Sequence, residues 1–195
     1  MYKVIGTAKS RAARVLWMLE ELGVPFEHIA AAPRSGEALA ASPSGKVPVL
    51  LVDGVAISDS TAIIQYLADK HGAFTHPAGS IARAQQDSFT HLVLDEFDSV
   101  LWTAARHSFV LPPEQRLPQI KDSLKWELER SQKALVARMG DGPFLMGDDF
   151  TVPDIILAHC LGWAVSAKFD ITVDRLRHYA EHVRARPAFA RAMAR

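Results

Sequence analysis

The chain has one cysteine in 195 residues, Cys160, so it has no internal disulfide and no Cys-x-x-Cys redox or metal motif. It has no surplus charge of either sign. The 22 basic and 22 acidic residues cancel, which leaves no electrostatic footprint for nucleic acid or an anionic membrane. No apolar run approaches the roughly 18 residues of a membrane span. The segment Met1-Tyr2-Lys3-Val4-Ile5-Gly6 runs straight into a strand pattern, without a charged region followed by a long apolar one. The eight histidines are scattered along the chain, and no metal site is expected. These absences predict a soluble cytoplasmic protein with neither a nucleic-acid nor a membrane partner.

What is present is apolar content, 49% of the chain, enough for one large core or two small ones. The stretch from Ser44 to Gly54 organises the first half. Ser44-Gly45 is turn composition, Pro48 to Val52 is a β-branched apolar run, and Asp53-Gly54 is a hairpin signal leading into Val55 to Ile57. Proline at the first position of a strand forfeits no ladder bond. The Val47-Pro48 peptide is either an ordinary trans strand start or a cis turn. A cis turn frees the Val47 N–H and C=O to pair with an added peptide.

Around that stretch, Tyr2 to Ile5 reads as a strand, and Ser10 as the N-cap of a helix with Ala12, Val15, Leu19 and Leu22 on its apolar face. Gly23 and Pro25 stop it, Phe26 to Ala30 reads as a strand parallel to the first, and residues 34 to 41 as a short helix. A helix from about Ser60 to Lys70 closes a βαβ then ββα order. Residues 72 to 80 are a linker, after which strand patterns cease. One long helix carries Phe89, Leu92, Val93, Phe97, Val100, Leu101 and Ala104, and another Ile120, Leu124, Leu128 and Leu135. Thr151 and Asp154 have capping-box spacing, with Phe150 and Ile155 at staple positions, which marks a further helix start.

Gly45-Lys46-Val47-Pro48-Val49-Leu50, then Asp59-Ser60-Thr61-Ala62-Ile63, and the helix ending Leu19-Glu20-Glu21-Leu22-Gly23 together resemble the glutathione S-transferase family. The resemblance extends over nearly the whole chain, since the capping box and the segment Arg186-Pro187-Ala188-Phe189 look like that family's C-terminal helices. It implies an α/β thioredoxin-like domain over residues 1–75 and an all-α domain over 80–195. It also implies a cytosolic enzyme of detoxification, usually a two-fold homodimer, with glutathione as co-substrate and no metal. The implied reaction is attack of the glutathione thiolate on a small hydrophobic electrophile. A glutathione-dependent isomerase, dehalogenase or lyase on the same fold is an alternative, and so is a non-catalytic binding module, because fold does not fix function.

The resemblance also assigns roles. Ser10-Arg11-Ala12-Ala13-Arg14 is similar to the Ser-x-x-x-Arg of serine-type transferases, which makes Ser10 the group that contacts the thiolate and Thr7 the second candidate hydroxyl. Val47, preceding Pro48, would pair with the cysteinyl backbone, and Asp59 and Ser60 would hold the γ-glutamyl end. Lys46 or Arg34 would meet the glycyl carboxylate. Trp102, His107, Phe109 and Trp163 are the candidates for an apolar electrophile pocket, the His and Trp matching regions of bacterial beta-class members. Asp95, Glu96 and Asp98 would face a partner subunit's glutathione.

Overall fold

Four short strands form one mixed sheet in the order β2-β1-β3-β4. In the computed structural model, which describes residues 1–195, β1 (Tyr2–Ile5) pairs parallel with β2 (Phe26–Ile29) and antiparallel with β3 (Val49–Val52). The β3 strand turns back into β4 (Val55–Ser58) through Asp53 at φ 49° and Gly54 at φ 88°. Both central residues have positive φ, as a twist-matched hairpin turn requires. The parallel pair is joined by α1 (Ala12–Leu22), and α2 (Gly36–Ala41) and α3 (Ser60–His71) complete the layout. Ser35 caps α2 by accepting from the Ala38 N–H, and Gly23 ends α1 in the left-handed conformation that L side chains disfavour.

The chain divides into two compact units: Met1–Arg83 with Arg184–Arg195, and Ala84–Val183. This differs from the single helical domain expected over 80–195. The reason lies in α1, where every residue from Ala12 to Leu19 is buried. Such a helix needs cover beyond the sheet, and α3 and α9 (Pro187–Met193) supply it. Trp17 meets Phe189 edge-on at 4.8 Å between ring centroids. Arg186 forks onto Glu21 at 2.6 and 2.8 Å, while Arg191 and Arg195 hold Glu20 at 2.8 and 2.5 Å. The start of α4 (Ile81–Val93) stays with this unit, because Arg83 pairs with Asp69 of α3 at 2.7 Å.

In the second unit the expected long helix is a rod interrupted twice. One π-helical turn, Leu94–Asp98, joins α4 to α5 (Ser99–Ala105), and another, Arg106–Val110, ends it. The wider turns rotate the side chains that follow. Asp98 is thereby buried, with the Cys160 thiol 3.9 Å from its Oδ2. That corrects the expectation that Asp98 faces a partner subunit, whereas Asp95 is exposed beside a shallow groove with His91 and Ser99. Two further helices, α6 (Ile120–Arg138) and α8 (Asp174–Arg184), accompany α7 (Val152–Ser166), which is buried almost throughout. No helix is long and apolar enough to cross a membrane.

The start of α7 is a closed polar knot. The Asp154 carboxylate accepts from the Leu145 N–H at 2.9 Å, the Thr151 N–H at 2.9 Å, the Thr151 hydroxyl at 3.2 Å and the Tyr179 hydroxyl at 2.6 Å. Burial pushes the Asp154 carboxyl above its ordinary range despite these donors. Burial and the neighbouring carboxylate push Tyr179 well upward.

Candidate functional site

The first strand ends at Gly6, and three parts of the first unit converge there. Gly6 sits at φ 145°, and a Cβ placed on it would lie 2.8 Å from the Ala12 Cβ and 3.1 Å from the Val47 Cβ. Only glycine fits where β1, the start of α1 and the approach to β3 come so close. The Val47-Pro48 peptide is cis, and the N–H and C=O of Val47 take no partner within the chain.

Ser10 lies in a turn between Gly6 and α1, half-buried. The expectation that it is the simple N-cap needs correction: the regular helix begins at Ala12, and Arg11, already helical in conformation, holds the cap position. Ser10 still serves the helix start, because its Oγ accepts from the Ala12 N–H at 3.1 Å. Its own proton is donated to the Thr7 carbonyl at 2.7 Å, and the Ser10 N–H reaches the same carbonyl at 3.0 Å. The Thr7 Oγ1 accepts from the Lys9 N–H at 3.3 Å. The first turn of α1 carries no acidic residue, so the positive end of its dipole is uncompensated by a carboxylate.

Asp59 caps α3, accepting from the N–H groups of Thr61 and Ala62 at 2.9 and 3.0 Å. Ser60, expected on the ligand, is buried, and its hydroxyl accepts from the Arg14 guanidinium at 3.2 Å. Arg14 stands one helical turn after Ser10 and is itself buried, so it ties the starts of α1 and α3 together. The Ser-x-x-x-Arg spacing carried that signal, but the partner was not legible. Lys46 and Arg34 are exposed and neighbouring, because the Arg34 N–H donates to the Gly45 carbonyl at 2.8 Å. His28 was passed over in the sequence, yet its Nε2 lies 2.7 Å from the Gly6 carbonyl.

The expected electrophile residues all belong to the second unit. Trp102 is half-buried on α5, while His107 and Phe109 fall in the π turn that follows. The His107 Nδ1 accepts from the Leu117 N–H at 3.1 Å, and Phe109 is 69% exposed. Trp163, on α7, meets His159 edge-on at 6.2 Å. One histidine pair with ligand-like spacing was missed in the scattered pattern. His178 and His182 stand one turn apart on α8, both exposed, and no group of three or more His, Cys, Asp or Glu is placed to hold a metal ion.

A four-stranded β2-β1-β3-β4 sheet with a proline leading into β3, followed by an all-helical unit, is a thioredoxin-like fold carrying a helical partner. Residues 10–70 match the family model for the glutathione S-transferase N-terminal domain, and residues 127–195 match that for its C-terminal domain. The chain is 31% identical over 157 residues to glutathione S-transferase GstB of Escherichia coli K12, covering 74% of each. To GstA of E. coli O157:H7 it is 29% identical over 144 residues, 72% of this chain and 67% of that one. A solved glutathione transferase from Methylococcus capsulatus superposes with a TM-score of 0.84 at 26% identity, covering 100% and 98% of the two chains. A Pseudomonas fluorescens family member with two glutathione bound gives a TM-score of 0.82 at 21% identity over 98% and 92%, a likeness of fold. The chain belongs to the glutathione S-transferase family.

Proposed function

We propose that this glutathione transferase binds glutathione along the open backbone of Val47 and uses the start of α1, with Ser10, to favour its thiolate. The observation that carries the reading is the unpartnered N–H and C=O of Val47, next to Gly6 and so next to the start of α1. A peptide's backbone pairs with such a group as a short added strand. The cysteinyl unit of glutathione then brings its sulfur toward the N-terminus of α1, where the helix dipole, offset by no acidic residue in the first turn, favours an anion. Asp59 is the acceptor for the γ-glutamyl ammonium, while the positive end of α3, where Ser60 stands, attracts the carboxylate there. Lys46 and Arg34 attract the glycyl carboxylate.

The energetic demand is modest. Lowering a thiol pKa by about two units requires about 2.7 kcal/mol of preference for the thiolate. A charge-assisted hydrogen bond contributes about 1.5–3 kcal/mol and a helix terminus about 0.3–1 kcal/mol. Ser10 must turn its proton from the Thr7 carbonyl to the sulfur, exchanging a neutral hydrogen bond for a stronger charged one. The thiolate then forms a carbon–sulfur bond to a small apolar electrophile, for which Trp102, His107, Phe109 and Trp163 are the candidate contacts. By kinship the enzyme is assigned to the cytoplasm, to detoxification and to a homodimer.

The test is a pH titration of the glutathione thiol in its complex with the protein, followed by thiolate absorbance. The expected result is a pKa well below that of free glutathione. Binding without a shift would remove the activating role of the α1 terminus.

A further inference from the structure

We propose that His28 is a positioning residue for the thiol-activating end of the glutathione site, acting through the Gly6 carbonyl; this rests on the function proposed above.

His28 lies on β2 opposite Val4 of β1, and Ile29 lies opposite Ile5. The parallel pairing runs one residue beyond the strand, since the Gly6 N–H donates to the Ile29 carbonyl at 2.9 Å. The Gly6 carbonyl is then met by the His28 Nε2 at 2.7 Å. A carbonyl oxygen can only accept, so the Nε2 carries a proton whether the ring is neutral or charged. The backbone N–H of Gly6 and its C=O are therefore both tied to β2.

The peptide plane held in this way leads directly into the segment that does the chemistry. Thr7 follows Gly6, and its carbonyl orients Ser10 through both the Ser10 N–H at 3.0 Å and the hydroxyl at 2.7 Å. Gly6 also packs against Val47 and Ala12, where an added Cβ would find them at 3.1 and 2.8 Å. Gly6 is thus the common reference for the two backbone elements that must be in register, the pairing group at Val47 and the α1 start. His28 touches neither, and its hydrogen bond fixes the plane from which both are placed. Misplacement of a reacting group by about 1 Å costs roughly a hundredfold in rate, so a small rotation at Gly6 is enough to be felt.

Three proteins decide the question: wild type, His28→Leu, and His28→Gln, whose amide nitrogen can stand where Nε2 stands and restore the donor. Each is titrated for the thiol pKa of bound glutathione, assayed for kcat and KM with a chlorodinitrobenzene, and melted. His28→Leu is expected to keep its glutathione affinity while its bound thiol pKa rises toward the free value. Its kcat should fall roughly ten- to hundredfold. His28→Gln is expected to recover most of both. Should leucine prevent folding, asparagine, too short to reach Gly6, replaces it. A leucine or asparagine variant with the wild-type thiol pKa and kcat overturns the role. So does a glutamine variant no better than leucine, which would make ring packing rather than N–H donation the cause. A wild-type complex with no lowered thiol pKa counts against the proposed function itself, whereas a lowered pKa that survives in the variants counts against His28 alone.

Discussion

Two helix starts, those of α1 and α7, each carry a hydroxyl residue, Ser10 and Thr151, and end in opposite states. At α7 the Asp154 carboxylate collects four donors and is fully enclosed, so nothing is left for a ligand. At α1 a half-buried serine is bonded only to its own turn, no acid offsets the helix dipole, and the adjacent Val47 backbone is open. A helix terminus whose polar groups are all satisfied within the fold contributes stability. One that is accessible and carries no carboxylate leaves its dipole to favour an anion.

The contrast can be broken by substitution, and the largest effect is expected at the closed terminus. Asp154→Ala leaves the Leu145 and Thr151 N–H groups and the Tyr179 hydroxyl buried without their acceptor, a loss of about 3 kcal/mol or more. Denaturant midpoints measure it, and unchanged stability would contradict the enclosure described for α7. At the open terminus the ranking reverses. Ser10→Ala should cost only about 1 kcal/mol of stability as a lost cap, yet lower kcat roughly a hundredfold, as deleting one donor to a developing anion does. Equal kcat in both proteins would remove Ser10 from the chemistry and pass the role to Thr7.

Next in size is the charged seam between α1 and α9. Arg186→Ala leaves Glu21, whose side chain is 7% exposed, without its ion-pair partner and with only the Trp17 indole N–H, and should destabilise the protein by about 1–3 kcal/mol. The neighbouring Glu20 responds to pH. Burial raises its carboxyl, but the hydrogen bonds from Arg195 and Arg191 outweigh that and hold it below its ordinary value of 4.5. Its contribution is therefore present above that value and is lost as pH falls through the lowered one. Asp154 has the opposite sign. Its folded-state pKa lies above the ordinary 3.8, so its contribution is full below 3.8 and declines as pH rises through the raised value. The smallest effect follows: the stability gap between wild type and Asp154→Asn should narrow with rising pH over that window. A gap that widens would reverse the assigned direction.

Features written in local code were legible in the sequence. Asp53-Gly54 specified a hairpin, Gly23 ended α1, and Thr151 with Asp154 announced α7, because each depends on residues a few positions apart. The candidate site was half legible for the same reason: Ser10, Val47 and Asp59 stand at element boundaries. What escaped depends on partners distant in the chain. The hydroxyl of Ser60 turns inward because Arg14 is buried opposite it, Asp98 is rotated inside by a π turn, and His28 gains meaning only where β2 passes Gly6. The return of α9 to the first unit was written in Glu20, Glu21 and three arginines, a complementarity that no local pattern reveals.

That return has a consequence for biosynthesis. Arg186 lies 165 positions after its partner Glu21, so the sheet and α1 emerge from the ribosome long before the helix that covers Trp17. Through most of translation the first unit carries an uncovered apolar face, a surface that chaperones recognise. Ribosome-stalled chains lacking residues 184–195 should bind a hydrophobic dye that full-length chains exclude.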